Sequence, residues 1–235
     1  MAAAALLLLA ACGRGGSAPG QTGQTGAAET ARCFVAVGSL DDQDAKLFAA
    51  AQAGDVPALE QALATGANIN ATDRLKRTPL LAAAFCNQAG VANLLIDKGG
   101  DVNAGDFDRL SPLHAAVIVG GSDAVKALIA RGANVNGRNA DGRTPLHLAA
   151  ATNQPAMVDL LLAHGAHLAA HDKDGHTAAA LAARNGHKDL AAKLRRKQGG
   201  ESAPTKNHGV APNPAAPAPA PATPVPTGPE GTKAG

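Results

Sequence analysis

A period of 33 residues constrains this chain more than any other feature. Residues 144–151 read TPLHLAAA. One period upstream, 111–118 read SPLHAAVI, and one before that, 78–85 read TPLLAAAF. One period downstream, 177–184 read TAAALAAR, and a fainter copy, AKLFAAAQ, occupies 45–52. Self-similarity at a fixed period of about 20–50 residues is the mark of a solenoid, in which no unit can bury its own apolar face and neighbours must stack. Composition agrees. The chain is 46% apolar, much of that is alanine, and it has no Trp or Tyr. Small side chains suit closely packed helices better than a large globular core. A net charge of +2 over 235 residues does not provide the basic face that nucleic acid requires.

The best-formed copy shows how each unit is built. Residues 139–143, NADGR, form a turn. Thr144 and Pro145 open a helix, because Thr can cap it and Pro loses nothing in the first turn, where its missing N–H would be unpaired anyway. Leu146, Ala149 and Ala150 mark its buried face. Asn153, which tolerates a left-handed backbone, ends it. A second helix is predicted over 156–164, with Val158, Leu161 and Leu162 inward and Gly165 closing it. The same pattern recurs as VANLLI at 91–96 and AVKALI at 124–129, with closings at Gly99 and at 132–136, GANVN. Gly142 and Gly175 stand where the loop favours positive φ. Lys76 and Arg109 hold that place in the two earlier loops, where a non-glycine residue costs about 1 kcal/mol or more.

These motifs together resemble the ankyrin repeat: Thr-Pro-Leu-His with small residues after it, then paired leucines, then Gly-Ala-x-Val-Asn, at 33 residues. The resemblance covers about 41–198. It implies an all-α solenoid of about five stacked helix-turn-helix repeats with β-turn loops, the repeats falling at about 41–72, 73–105, 106–138, 139–171 and 172–198. The end copies depart most, as capping units should: Ala45 and Lys46 replace Thr-Pro, and Ala178 replaces Pro. The basic run at 193–197 reads as the solvated outer face of the last helix, complementing its dipole.

The resemblance also implies a module without a catalytic centre or cofactor, which binds another protein through its loop tips and the first helices lining a concave groove. Carried onto this chain, the groove positions are Ala82, Phe85 and Cys86, then Ala115, Ile118 and Val119, then Leu148, Ala151 and Thr152, then Leu181, Arg184 and Asn185. Phe85, Ile118, Val119 and Leu148 form an apolar patch of the kind that marks an interaction site, unless Phe85 or Ile118 tucks between neighbouring helices; side-chain direction within one helical turn decides which. Leu75, Phe107 and Leu110 lie near the loop tips beside Lys76 and Arg109, and Arg and aromatic side chains are the usual interface anchors. The expected contact region is therefore repeats two and three, with Phe85, Ile118, Val119, Leu148, Phe107, Lys76 and Arg109 as its residues. The expected chain is a monomer that binds a protein as scaffold, stabiliser or immunity-like inhibitor, with no nucleic-acid partner.

The ends bear on location. Residues 1–11, MAAAALLLLAA, are too short to span a bilayer, which needs about 20 apolar residues, and fit the h-region of a secretion signal. With Cys12 they end in LAAC, which resembles the bacterial lipobox. Residues 1–12 are read as a lipoprotein-type signal with Cys12 as the lipidation site, although no Lys or Arg precedes the apolar run. Gly13 follows where an inner-membrane retention signal would place Asp. The expected location is the bacterial cell envelope, anchored in the outer membrane and facing the periplasm; the alternative is a soluble periplasmic protein. Residues 13–38 form a flexible linker and transition, 39–198 the repeat domain, and 199–235 an Ala/Pro-rich tail with more than half of the chain's 15 prolines, a composition that favours disorder and extended polyproline II.

Two further groups carry possible chemistry. Cys33 and Cys86 remain once Cys12 is lipidated, and two thiols in an oxidising compartment favour a disulfide, given Cα atoms about 4.4–6.8 Å apart. Such a bridge would strap the N-terminal segment over one end of the groove. His164, His167, His171 and His176 crowd the fourth repeat and its boundary. A metal site on His164, His167 and His171 would make the chain an accessory or metal-binding subunit of a periplasmic enzyme. Their loose spacing across a helix end and a loop argues against it, and no metal is expected. His114 and His147 belong to the repeat motif, with ring nitrogens bonding between loops.

Overall fold

The computed structural model describes residues 40–200. Residues 1–39 and 201–235, which include Cys12 and Cys33, lie outside the described residues. Ten helices follow one another in five hairpin pairs: α1 (Asp42–Ala53) with α2 (Val56–Ala64), α3 (Pro79–Phe85) with α4 (Ala89–Asp97), α5 (Pro112–Val119) with α6 (Ser122–Ala130), α7 (Pro145–Ala151) with α8 (Pro155–Ala163), and α9 (Ala178–Arg184) with α10 (Lys188–Gly200). No strand occurs among the described residues.

The repeated motif sets where the first helices begin. Thr78, Ser111 and Thr177 are N-caps whose hydroxyls accept from the N–H three residues on, and Pro79, Pro112 and Pro145 occupy the first helical turn. Losing one such cap costs about 1 kcal/mol. At the chain's start Asp41 caps α1, its carboxylate accepting from Gln43 N and Asp44 N. Asn87 and Asn153, both at φ 55°, turn the chain after α3 and α7, where α1 and α5 use Gly54 and Gly120. The helix predicted over 156–164 starts and ends one residue earlier, at Pro155–Ala163. Pro155 supplies the pre-set φ of a first-turn residue, although Gln154 before it makes no side-chain cap.

Stacking buries what no single pair could. Leu47, Leu81, Leu113 and Leu146 of successive first helices, and Leu59, Leu95, Leu128 and Leu161 of successive second helices, are fully buried in one continuous core. Ala83, Ala84, Ala115, Ala116, Ala149, Ala150 and Ala182 are fully buried as well, so neighbouring first helices can approach closely. In α8, Val158 and Leu161 are fully buried and Leu162 packs partly against the core.

Polar side chains tie each unit to the next at the same period. Asp44 Oδ1 accepts from Asn68 N at 2.7 Å, Asn70 from Asp101 N at 2.9 Å, Asn103 from Asn134 N at 2.8 Å and Asn136 from His167 N at 2.8 Å. The motif histidines form a second set. His114 Nδ1 accepts from Ser111 N at 3.3 Å and its Nε2 donates to Arg143 O at 3.3 Å; His147 Nδ1 accepts from Thr144 N at 3.2 Å and its Nε2 donates to His176 O at 3.1 Å. Both rings are neutral in this arrangement. Burial pushes His114 down to about 4 and lowers His147 in the same direction.

Candidate interaction surface

The loops between repeats are built by another 33-residue series: Asp73, Asp106, Asn139 and Asp172. Each side-chain oxygen folds its own loop. Asp73 Oδ1 accepts from Leu75 N and Arg77 N at 2.8 and 2.9 Å, and Asn139 from Asp141 N and Arg143 N at 3.0 and 2.8 Å. Asp172 accepts from Asp174 N and His176 N at 3.0 and 2.8 Å, and Asp106 from Leu110 N at 2.9 Å. Such short polar side chains mimic a backbone turn. Three residues on, the chain is left-handed in every case: φ is 59° at Lys76, 57° at Arg109, 75° at Gly142 and 77° at Gly175. Consecutive loops then pair, Phe107 N donating to Leu75 O at 3.1 Å, Ala140 N to Asp108 O at 2.7 Å and Lys173 N to Asp141 O at 2.9 Å. The tips therefore form one continuous ribbon.

Large apolar side chains come to the surface on that ribbon. Phe107 is 60% exposed and Leu75 46% exposed, on tips joined by the hydrogen bond just given; Val56, at 37%, is the remaining large apolar side chain exposed among the described residues. The Lys76 Nζ stands 5.1 Å from the centroid of the Phe107 ring, a cation–π distance. Lys76 and Arg109 are exposed, and Leu110 is half-buried.

The groove side differs. Phe85 and Leu148 are half-buried and pack against the core, which for Phe85 is the second of the two arrangements open to it. Ile118 and Val119 are half-buried in the last turn of α5. Ala115, Leu181 and Ala82, expected to face the groove, are buried at 0%, 4% and 6% exposure. Ala82 joins Phe48 and Ala71 in a small separate cluster on which Leu40 packs. Cys86 caps the C-terminus of α3 and is in a disulfide; Cys33, the partner expected for it, lies outside the described residues.

Two buried loop carboxylates, Asp73 and Asp172, have cationic neighbours within their own or the adjacent loop. The buried Asp73 carboxylate is held through one oxygen, Oδ2, by Arg77 Nε at 2.8 Å and Nη2 at 2.7 Å. Asp172 has Arg143 Nε at 3.6 Å and His176 Nδ1 at 3.5 Å. Burial acts to raise the Asp172 carboxyl, but the backbone N–H groups of His176 and Asp174 that it accepts from, with the His176 ring beside it, outweigh burial and hold the group below the usual range. Asp106 goes the other way, raised chiefly by burial. Among the described residues, the three ligand-type side chains that converge are Asp172, Asp174 and His176, within 4.8 Å of one another. His164, His167 and His171 are exposed and are not drawn into that group. Arg143 Nε stands beside Asp172 Oδ2 as an ion pair without a hydrogen bond, and with His176 Nδ1 these are buried polar atoms that no hydrogen bond satisfies.

The pairing of Lys76 with Phe107 was not read from the sequence. The Asp73, Asp106, Asn139, Asp172 series would have revealed it, since it aligns the loops and sets their tips side by side. No helix among the described residues is long and apolar enough to cross a membrane. Residues 47–139 and 121–206 each match the family model described as ankyrin repeats, three copies, and the two matches overlap to span most of the chain. No curated protein matches it.

Proposed function

Because the chain belongs to the ankyrin-repeat family, we propose that it is a non-catalytic protein-binding module that holds its partner on the loop tips of repeats two and three and the adjoining groove. Ankyrin repeats are protein-interaction units, and a specific use must come from this chain's own side chains. The observation that carries the reading is the pair of exposed side chains, Leu75 and Phe107, on adjacent tips, where an exposed apolar strip otherwise costs solubility. Ile118 and Val119, half-buried in the last turn of α5, and Phe85 and Leu148, half-buried against the core, are the proposed contacts on the groove side. A photo-reactive residue replacing Phe107 tests this in the intact cell envelope, with Lys126 on α6 as control. Cross-linking of the same protein from both positions, or from neither, would reject the assignment.

The envelope location belongs to the same proposal. Cys12 in LAAC is the proposed lipidation site, and outer-membrane anchoring facing the periplasm follows from Gly13 beside it. An oxidising compartment would keep the disulfide at Cys86 intact. With Cys12 acylated, Cys33 is the proposed partner of Cys86. Palmitate labelling that persists in Cys12→Ala would refute the anchor, and a non-reducing peptide map without a Cys33–Cys86 cross-link would refute the pairing.

A further inference from the structure

Resting on that binding role, we infer the chemistry of the partner: an extended protein segment in which an acidic residue stands beside a large apolar one, docked across the tips of the first two loops. The carboxylate meets Lys76, and the apolar side chain covers Phe107 and Leu75.

Charge gives the partner its sign. Leaving aside Arg74, which has an interaction of its own, the loop at 73–77 sets Lys76 and Arg77 against Asp73, and Asp73 is paired with Arg77. The loop at 106–110 sets Arg109 against Asp106 and Asp108; the loop at 139–143 has one charge of each sign; the loop at 172–176 sets Lys173 against Asp172 and Asp174. The first tip is thus the cationic end of the ribbon. A basic segment is repelled where the apolar surface is largest. An acidic segment is attracted, and Asp108 beside Phe107 gives it a direction: its carboxylate belongs at the first loop and its apolar residue at the second.

Geometry points the same way. The Lys76 ammonium stands 5.1 Å from the centroid of the Phe107 ring, so a cation and the most exposed large apolar side chain adjoin on neighbouring tips, where an acid beside an apolar residue meets both at once. The cations at the tips are not demanded by the loop fold, since Gly142 and Gly175 complete the same turn with the same hydrogen bonds.

The test uses the full chain and short fluorescein-labelled peptides in four series: Glu alternating with Leu, Gln in place of Glu, Lys in place of Glu, and Ser in place of Leu. Fluorescence anisotropy is read at low and high ionic strength. The Glu–Leu series is expected to bind on the order of tenfold more tightly than the Gln or Ser series, the size of effect an interface anchor carries, and to weaken with salt. Phe107→Ser removes the advantage of Leu over Ser, and Lys76→Glu turns the preference toward the Lys series. Lys76→Gln, which keeps the side-chain length, reads the charge alone should Lys76→Glu lower stability. Equal binding of the Glu, Gln and Lys series, binding indifferent to both substitutions, or no binding at all overturns the inference. Position-specific cross-linking from residue 107 to a protein that shows no such preference would leave the binding role standing and this inference refuted.

Discussion

The motif histidine of the third repeat makes the repeat stack sensitive to acid, and the size of the effect follows from its surroundings. His114 is 1% exposed, accepts at Nδ1 and donates at Nε2. It has no acid at hand to stabilise an imidazolium, and burial holds it at about 4 against an ordinary 6.5. The unfolded chain therefore takes up its proton near pH 6.5 and the folded chain only near 4. Below 6.5 the unfolded state binds more protons, so stability falls as pH drops and levels off below 4. The shift corresponds to about 3 kcal/mol in full and about 2 kcal/mol by pH 5. Leu81 holds the same position in the repeat before and is fully buried there, so His114→Leu is compatible with the fold. In that variant Arg143 O still accepts from Asn139 N at 3.0 Å. Urea unfolding of both proteins between pH 7.5 and 5 is expected to show wild type losing about 2 kcal/mol more than the variant, carboxylates cancelling in the comparison. Equal slopes for the two would refute the claim that burial at His114 disfavours the charged ring.

Replacing Lys76 or Arg109 by Gly relieves a left-handed penalty of about 1–2 kcal/mol and adds about 0.5–1 kcal/mol of backbone entropy cost, for a net gain of about 0.5–1 kcal/mol each in urea unfolding; a lower midpoint would show the tips to be unstrained. Both Gly142→Ala and Gly175→Ala incur about 1 kcal/mol for the positive φ. Gly142→Ala should cost clearly more, since its Cβ would lie 3.0 Å from Lys173 N while nothing stands within 4 Å at Gly175. Leu146→Ala, at 0% exposure in the middle of the stack, is expected to cost about 2–5 kcal/mol. Phe107→Ser should leave the denaturation midpoint within about 0.5 kcal/mol of wild type, the range for an exposed site.

The fold was legible because its determinants are local and recur. Thr-Pro sets the helix starts, Asn or Gly sets the turns after the first helices, and the alanines that repeat at 33 residues are the ones that stacking buries. The helix at Pro155 starts one residue before the span that the sequence predicts, because Gln154 makes no side-chain cap and the proline alone marks the start. The two phenylalanines near the surface mark where legibility stops. Phe85 ends α3, and a helical side chain leans back over the turn before it, which carries this ring onto the core. Phe107 sits at a loop tip with no helix above it and stays exposed. The motif register tells the helix position from the loop position, but not how far each ring is covered, which depends on the unit that stacks alongside. The strained tips were legible for the opposite reason, since the later loops display glycine at the same register. In a solenoid, stability is a sum of unit and interface contributions, so about 1 kcal/mol of strain at each of two tips is absorbed without disturbing the buried columns beneath. Departures from the repeat pattern are therefore cheapest at the loops and costliest in the helices. A stack of this kind can acquire a specific partner at residues 75, 76, 107 and 109 while keeping every buried leucine in place.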